Sequence, residues 1–446
     1  MRFRLRFLWE QRSFNIAVNT IASALMKIVS LVCSLIIVPI SIDYLTPEKY
    51  GIWIAMTSIL FWISFFDIGL GNGMRNYMAE AYAKGDKQSA KSYFSTATII
   101  TTAIALSICA ISVLLIYNLD LSAIFNTTEV SKESLADVLM VAIIFSLMLF
   151  VVKNIGMAYI AMQRYAINDL IIFIGMIVTV CAIYIMSKTT EGSLLKIVIV
   201  YTAIPVVFFL LAAIPLFKSH PELMPSLKSV NINDARKVVS KGMGFFLIQI
   251  TSCLVIFGSS NIFISHYCGP EQVTIYNVAY KLFNILVTGY TILIAPLWSA
   301  YTDASVKQDY AWIKKTFHRS LYFWILSLLG GMLLLAISNW FFSKWVGDSI
   351  EVPFAVSCSM LLFVCFFNLN NCATYLINGL NKIKIQIITS ITATALYLII
   401  VLCFGFKLGI IGITLTMALA YVLMSVVHLY QCHLFVNQKA IGLWNM

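Results

Sequence analysis

The chain has 446 residues, of which 61% are hydrophobic and only 11% are charged. Soluble domains carry about 25% charged residues, and no fold in water could hide so much apolar surface, so the composition excludes a soluble globular protein. The formal net charge of +11 at pH 7 would suit a nucleic-acid-binding protein. The positive charges nevertheless follow a membrane-protein pattern, described below, and we expect no nucleic-acid partner.

Apolar stretches of about 20 or more residues recur along the chain, which is the length an α-helix needs to cross roughly 30 Å of hydrocarbon. The stretches are continuous, whereas the strands of a membrane β-barrel alternate in polarity over about ten residues. We therefore predict an all-α integral membrane protein of about twelve transmembrane helices. The predicted spans are residues 14–44, 52–73, 94–117, 136–160, 170–187, 194–217, 242–267, 275–299, 320–342, 354–378, 387–406 and 410–435.

The first span carries a polar stripe, because its polar residues fall within an arc of about 120° on a helical wheel. A polar stripe is unfavourable in lipid, so it should face protein or a water-filled cavity. Lys27 lies about 20 Å from the helix start, too deep for its ammonium to reach the interface easily. Ordinary serine-mediated helix packing is the alternative. The stripe comprises Asn15, Asn19, Ser23, Lys27, Ser30, Ser34 and Ser41.

The second span ends in residues 66–75, a segment with three glycines within five residues. Glycines at this density loosen a helix, or allow another helix to approach closely. The polar side chains of this segment are those of Asp67, Asn72 and Arg75. Asp67 and Arg75 could line a cavity, or could pair with each other across two helical turns.

Two further lysines fall inside predicted spans. Lys153 lies deep in the fourth span beside Asn154, and Lys281 lies about two turns into the eighth. Charged residues at such depths usually line a pathway or pair with a partner. A buried ion pair is the structural alternative for Lys153, and extension of the side chain to the outer interface is the alternative for Lys281.

The tenth span has a stripe of Asn368, Asn371, Tyr375 and Asn378. Amides and a phenol suit the hydroxyl groups of sugars. Hydrogen bonding between helices is the alternative use of such residues.

The basic residues are distributed asymmetrically between the two sides of the predicted membrane. Of the 30 Lys and Arg, 21 fall on the N-terminus, the even-numbered loops and the C-terminus, and six fall on the odd-numbered loops. Cytoplasmic loops are enriched in Lys and Arg, so we predict that both termini are cytoplasmic. The positive charge also favours contact with anionic membrane lipids.

An internal repeat appears when the chain is compared with itself at an offset of 223 residues, half its length. Pro47 and Glu48 then match Pro270 and Glu271, and the ungapped alignment continues through Asp86 and Asp309. The halves have also diverged, since His266 stands where the first half has Asp43. Each half holds six predicted spans, so the halves should share one membrane orientation. Parallel repeats of this kind are a transporter architecture.

The repeat predicts two six-helix lobes and a linker between them. The N-terminal lobe is expected over residues 1–217, the cytoplasmic linker over 218–241, and the C-terminal lobe over 242–446. The linker is the only long hydrophilic connection, and it contains Pro221 and Pro225.

Motifs of catalysis, metal binding and nucleotide binding are missing from the sequence. It has no Walker A loop, no H-E-x-x-H and no G-x-S-x-G, and the cysteines lack metal-binding spacing. We therefore expect no catalytic residues, no metal and no cofactor.

Two segments resemble one known family. Residues 45–53 (LTPEKYGIW), followed by 67–75 (DIGLGNGMR), resemble the start of the polysaccharide-biosynthesis transporters, the Wzx-type flippases for O-antigen and capsule units. Residues 269–282 (GPEQVTIYNVAYKL) resemble the second-half counterpart in the same family. The resemblance extends over nearly the whole chain through the length, the number of spans and the repeat.

The resemblance implies the two-lobed fold of the multidrug/oligosaccharidyl-lipid/polysaccharide exporter superfamily, which is MATE-like. It implies a flippase in the bacterial inner membrane that moves an undecaprenyl-pyrophosphate-linked oligosaccharide to the outer leaflet by alternating access. Polysaccharide polymerase and chain-length machinery would be possible partners. The cations that could receive the pyrophosphate are Lys27, Lys153 and Arg75, and the polar residues that could contact the sugars are Asn19, Ser23, Asp67, Asn72, Lys281, Asn368, Asn371 and Tyr375.

Two other functions are compatible with parts of the sequence. A multidrug or cation antiporter of the same fold would need a cavity lined by carboxylates, and Asp67 is the one clearly intramembrane acid of the predicted spans. A membrane glycosyltransferase or ligase would need large outer loops, whereas the longest predicted outer loop is residues 118–135.

Overall fold

The structure is a computed structural model, and it describes residues 25–26, 28–63, 66, 70–162, 164–231, 250–251, 258–347 and 350–445. The described part of the chain is helical and contains no strand. The α-helices are α1 (Ile28–Leu45), α2 (Pro47–Ile63), α3 (Leu70–Ala83), α4 (Lys87–Ile116), α5 (Leu121–Phe125), α6 (Lys132–Ala161), α7 (Tyr165–Thr189), α8 (Leu194–Ser219), α9 (Ser260–Cys268), α10 (Pro270–Ile294), α11 (Leu297–Val306), α12 (Tyr310–Trp345), α13 (Phe354–Gly379) and α14 (Lys384–Val436).

The prediction of an all-α membrane protein is confirmed. Within the described residues, nine helices are long and apolar enough to cross a membrane. One of them, α14, has non-helical backbone at Gly409 (φ 60°, ψ −172°), so it supplies the last two predicted spans. Of the predicted seventh span, the structure describes only the part that ends in α9.

Of the second predicted span, residues 52–73, the structure describes α2, which ends at Ile63, and α3, which begins at Leu70. The matching span of the second half is divided into two helices, because α10 ends at Ile294 and α11 begins at Leu297. Pro296 lies at this division, where its ring and missing N–H interrupt a helix.

Backbone conformations recur at the offset of 223 residues. Thr46 (φ 106°) and Gly269 (φ 92°) are equivalent positions, and both precede a helix that begins with proline. Gly85 (φ 74°) and Gln308 (φ 58°) are likewise equivalent. The sequence repeat is therefore also a repeat of turns.

Aspartate caps recur at the same offset. Asp86 accepts a hydrogen bond from the Ser89 N–H at the start of α4, and Asp309 accepts one from the Trp312 N–H at the start of α12. An N-cap carboxylate satisfies a backbone donor that has no partner within the helix. These caps explain why both helices begin before their apolar stretch.

The described helices fall into two compact units. The first unit contains α1, α3, α4, α6, α7 and α8, and the second unit contains α2, α5 and α9–α14. In the first unit, α6 packs on α4 and α8, and in the second unit α13 packs on α14 and α12. The predicted lobe boundaries (1–217 and 242–446, with the linker between them) stay a prediction.

Candidate functional site

The structure describes some of the predicted site residues and not others. Lys27, Asn19, Ser23 and Asp67 lie outside the described residues, and so does the side chain of Asn72. The residues that can be placed are Arg75 and Lys153 in the first unit, and Lys281, Asn368, Asn371 and Tyr375 in the second.

Lys153 is exposed on α6 because its neighbour fixes the orientation of the helix. Asn154 is 4% exposed, and its amide donates a 2.9 Å hydrogen bond to the Thr101 hydroxyl on α4. Successive helical residues are rotated by about 100°, so a buried Asn154 turns Lys153 away from that contact. Lys153 lies eight residues before the end of α6, about 12 Å along the helix axis. The exposure of Lys153 on α6 is the observation that bears on its role, and the alternative of an ion pair stays open.

Arg75 is half-buried on α3, and its guanidinium donates hydrogen bonds of 3.3 and 3.2 Å to the side-chain oxygen of Asn76. The preceding residue, Met74, is fully buried in a hydrophobic core that also contains Ile155 of α6. Because α3 packs on α6, Arg75 and Lys153 lie on adjoining helices of one unit. The first unit therefore has two cations on adjoining helices.

A groove lies beyond Arg75, at the turn between α3 and α4, with a volume of about 190 Å³. The rings of Tyr77 and Tyr93 stack in it with centroids 5.3 Å apart and planes inclined by 22°. The Lys84 ammonium donates a 2.6 Å hydrogen bond to Glu80, and this contact raises the pKa of Lys84 above its usual value. The groove combines aromatic rings, charges and hydroxyls, a combination that suits sugars. Its lining residues are Tyr77, Glu80, Ala81, Lys84, Asp86, Ser89 and Tyr93.

Sequence reasoning missed this groove. Tyr77 and Tyr93 are 16 residues apart, and neither follows a motif. The signal that could have indicated it is the turn at Gly85 and Asp86, which folds α4 back beside α3 and brings the two rings together.

Lys281 lies deeper than the sequence indicated. It was placed about two turns into its span, but α10 begins at Pro270, so Lys281 is about 16 Å from the helix start and close to its middle. Its side chain is half-buried, and among the described residues no carboxylate forms an ion pair with it. Extension of the ammonium to the outer interface is therefore harder than the sequence position suggested.

The stripe on α13 divides into a buried and a partly accessible part. Asn368 is fully buried, and its amide donates to the Leu286 carbonyl oxygen at 3.4 Å and to the Ser327 hydroxyl at 3.3 Å. Asn371 and Tyr375 are half-buried, and the Tyr375 ring meets Trp298 edge-on at 6.0 Å. For Asn368 the alternative of hydrogen bonding between helices is therefore confirmed.

The starts of α2 and α10 form a contact that is symmetric about the repeat. Thr274 of α10 donates a 2.6 Å hydrogen bond to the Pro47 carbonyl oxygen of α2. Gly51, the repeat equivalent of Thr274, faces Pro270, the equivalent of Pro47. The Tyr50 hydroxyl also donates to the Asn277 side-chain oxygen at 3.2 Å. We refer to these residues as the α2–α10 contact.

No group of three or more His, Cys, Asp or Glu side chains that could hold a metal ion occurs among the described residues. The candidate residues that the structure describes carry cations, carboxylates, amides, hydroxyls and aromatic rings.

Comparison with known proteins gives the family. The model of the family described as "Polysaccharide biosynthesis protein" matches residues 16–299, more than half of the chain. The chain belongs to the polysaccharide biosynthesis protein family. The match covers every predicted site residue of this family member up to Lys281, and stops before the stripe on α13.

Relatives extend the likeness over most of this polysaccharide biosynthesis protein. An O-antigen transporter of Salmonella typhimurium is 25% identical over 415 residues, which are 90% of this chain and 92% of the relative. An O-antigen transporter of Salmonella typhi is 23% identical over 381 residues, which are 82% and 83%.

Solved structures show the same fold. An inward-facing MATE family multidrug resistance transporter has a TM-score of 0.78 at 13% identity, with 92% of this chain and 95% of that chain covered. The lipid II flippase MurJ has a TM-score of 0.71 at 13% identity, with 92% and 87% covered. The prediction of a MATE-like transporter fold is confirmed.

Proposed function

We propose that the protein is a flippase that moves an undecaprenyl-pyrophosphate-linked oligosaccharide from the inner to the outer leaflet of a bacterial inner membrane. The observation that carries the proposal is the likeness, over 90% of the chain, to a protein described as an O-antigen transporter. The cargo would be an O-antigen, capsule or exopolysaccharide unit. Because the relatives are described as transporters, we assign the chain no catalytic residues.

The runner-up is a multidrug or cation antiporter, since a MATE transporter has the same fold. An antiporter of cations needs a carboxylate in its cavity to bind the cargo or the coupling ion. In the described helices every Asp and Glu lies within six residues of a helix end, and no described span has a carboxylate near its middle. Lysines occupy those depths instead, at Lys153 and Lys281, and they favour an anionic cargo.

We propose that Lys153, Arg75 and Lys27 bind the pyrophosphate. The first two lie on adjoining helices of the first unit, and cations bind phosphate through charge-assisted hydrogen bonds. The proposed sugar contacts are the polar groups Asn19, Ser23, Asp67, Asn72, Lys281, Asn371 and Tyr375, to which we add the groove of Tyr77 and Tyr93. Asn368, which is buried, would support this surface by holding α13 against α10 and α12.

We propose that the α2–α10 contact closes the outer side of the transporter. The asymmetry of the positive charges supports an outer position for the starts of both helices. The contact is formed by equivalent positions of the two repeats, which is expected where two halves of an alternating-access transporter meet. Its hydrogen bonds would break when the site opens outward.

The test of the pyrophosphate site is a change of charge at Lys153 and Lys27. Lys153→Gln or Lys27→Gln should abolish surface polysaccharide while the protein is still made and inserted, and Lys→Arg at either position should retain part of the export. Lys196, an outer-end lysine exposed on α8, is the matched control, and Lys196→Gln should export normally. Normal surface polysaccharide in both Gln variants would remove these lysines from the mechanism.

The orientation is also a proposal, with both termini and the linker in the cytoplasm. Single cysteines on a cysteine-free background should react from the cytoplasm at Ser89→Cys, Ser226→Cys and Ser305→Cys, and from the outside only at Ser131→Cys. Labelling of Ser226→Cys from the periplasm would reverse the orientation. Binding of a polysaccharide polymerase and of chain-length machinery is proposed from the family alone, and co-purification would test it.

A further inference from the structure

A buried histidine lies in the core of the second unit, and neither the family resemblance nor the proposed site uses it. His428 on the second segment of α14 is 0% exposed. Its Nδ1 lies 2.8 Å from the side-chain oxygen of Asn370 on α13, and its Nε2 lies 2.7 Å from the hydroxyl of Thr389 on the first segment of α14. Three helical segments therefore meet at one imidazole.

The next helical turn contains two buried glutamines. The segments of α14 before and after Gly409 lie side by side, as the contacts Thr389 to His428 and Ser390 to Met424 show. Gln386 lies one turn before Thr389, and Gln431 lies one turn after His428, so both are about 4.5 Å nearer the Lys384 and Val436 ends of α14. The positive-inside pattern places these ends at the cytoplasm.

Both glutamines have unused hydrogen-bonding capacity. Gln386 is 4% exposed and Gln431 is 0% exposed, and the side-chain oxygen of each lacks a partner among the described residues. The Gln431 amide donates to the backbone oxygens of Lys382 at 3.1 Å and Trp444 at 3.3 Å, which lie at the end of the unit. Buried polar atoms without a partner are unfavourable, and they are the groups that hold internal water molecules. A row of polar groups thus leads from the end of the unit to His428.

The first half replaces His428 but keeps part of the polar row. The turns before α7 and α14 are equivalent, because the Arg164 N–H donates to the Tyr159 carbonyl oxygen as the Lys382 N–H donates to the Ile377 carbonyl oxygen. Counting from these turns pairs Gln386 with Asn168, which is polar, and Asn370 with Val152, which is apolar. Counting from the ends of α8 and α14 pairs His428 with Leu211. The ionisable ring is therefore specific to the second half.

The contacts around His428 suit both protonation states of the ring. In the neutral ring, Nδ1–H donates to Asn370 and the Thr389 hydroxyl donates to Nε2. When a hydronium ion or water chain delivers a proton, a new N–H bond forms at Nε2 and water is released. The Thr389 hydroxyl hydrogen then rotates to the Ile385 carbonyl oxygen, 2.9 Å away, and its oxygen accepts from Nε2–H. No hydrogen bond is lost in either state.

The surroundings of His428 provide no countercharge. Cys432 lies one turn further along α14, and its thiol donates to the Ala373 carbonyl oxygen at 3.5 Å. Cys372 of α13 and Tyr301 of α11 belong to the same core, and both are uncharged near neutral pH. No carboxylate of the described residues interacts with His428. An imidazolium there is unfavourable in a dry core, so proton binding favours whichever conformation admits water to the row.

We propose that His428, held by Asn370 and Thr389, is a proton-binding site that exchanges protons with the cytoplasm through the Gln386 and Gln431 layer. The site goes beyond the proposed flippase function, because it assigns the chain a coupling ion and a path for it. Proton binding to His428 then changes the conformational equilibrium of the transporter. A change of conformation changes the proton affinity of His428 by the same factor.

The first test observes the ring directly. The chain has five histidines, so protein labelled with ¹⁵N-histidine and reconstituted in lipid gives few ring signals, and the signal missing from His428→Gln identifies residue 428. This signal should convert reversibly from imidazole to imidazolium as the pH is lowered from about 7 to 3. A signal that stays neutral over this range in the folded wild type would overturn the proposal. If His428→Gln does not fold, His428→Asn or subtraction of the four other histidine variants gives the same identification.

The second test makes the layer between His428 and the cytoplasm apolar. Gln386→Ile combined with Gln431→Ile should leave the protein folded and slow the protonation of His428 from the cytoplasmic side of sealed vesicles by tenfold or more. His433→Gln, on the exposed face of the same helix, is the control, and in this variant His428 should be protonated at the wild-type rate. Unchanged kinetics in the double variant would refute the path. Because both readouts need no oligosaccharide, they can succeed even if the proposed cargo is wrong.

Discussion

Gly51 gives the sharpest test of the α2–α10 contact. A Cβ placed on Gly51 would lie 2.5 Å from the Pro270 carbonyl carbon, still closer to its oxygen, and 3.0 Å from the Thr274 hydroxyl. Contacts below 3.0 Å force atoms apart, and the obstacle here is backbone that cannot rotate away. Gly51→Ala must therefore separate the start of α2 from α10 by roughly 1 Å or more, since carbon and carbonyl oxygen approach only to about 3.3 Å.

The magnitude follows from two losses and one gain. Overpacking costs about 1–3 kcal/mol, and loss of the hydrogen bond from Thr274 to the Pro47 carbonyl oxygen costs about 1 kcal/mol. Alanine within a helix is more favourable than glycine by about 1 kcal/mol. We therefore expect Gly51→Ala to lower the free energy of unfolding by about 1–3 kcal/mol.

Gly289, on the same helix α10, is the matched control, because no atom lies within 4 Å of the position its Cβ would take. Gly289→Ala should be neutral or stabilise by up to about 1 kcal/mol. Both variants would be compared with wild type by reversible chemical unfolding in one detergent, followed by tryptophan fluorescence. Equal stability of Gly51→Ala and Gly289→Ala would refute the close approach of α2 and α10.

Two further substitutions test neighbouring features. Thr274→Val keeps the side-chain shape but removes the hydrogen bond to the Pro47 carbonyl oxygen, so it should weaken the proposed outer closure by about 1 kcal/mol. The rate at which a thiol reagent added outside labels a cysteine in the cavity should then rise about fivefold. Thr392→Val, at an exposed position, is the control and should leave this rate unchanged. Gly409→Ala should lower the free energy of unfolding by about 1–3 kcal/mol, because φ 60° and ψ −172° form a region that is essentially restricted to glycine. Wild-type stability of Gly409→Ala would mean that the last two spans are joined in another conformation.

The sequence predicted the spans well and their ends poorly. Hydropathy placed the ninth span at residues 320–342, whereas α12 runs from Tyr310 to Trp345. Its first turns are polar, and they are held by the Asp309 cap, which hydropathy does not register. The eighth span was placed five residues too late for the same reason, since α10 begins with Pro270 and Glu271. Capping chemistry, not apolar length, sets these boundaries.

The candidate site was predictable only in part, because a side chain's surroundings depend on neighbouring helices. Asn368 and Asn371 lie on one stripe in the sequence, yet the Asn368 amide donates hydrogen bonds to α10 and α12, while Asn371 is half-buried. The exposure of Lys153 could not be predicted from the sequence, because it depends on the contact between Asn154 and Thr101, which fixes the rotation of α6 about its axis. A helical wheel gives the angle between residues but not the partner that each face meets.

The two halves of the chain agree at some positions and differ at others. This difference separates residues that serve both halves from residues that serve one half. Pro47 with Pro270 and Asp86 with Asp309 have the same local structure in both halves. They start α2 and α10, and α4 and α12, in the same way in both halves. His428 has an apolar counterpart, Leu211, so whatever the ring binds is handled by one half alone. A transporter whose halves move together needs only one such site, because protonation on either side of a two-state equilibrium shifts both halves at once.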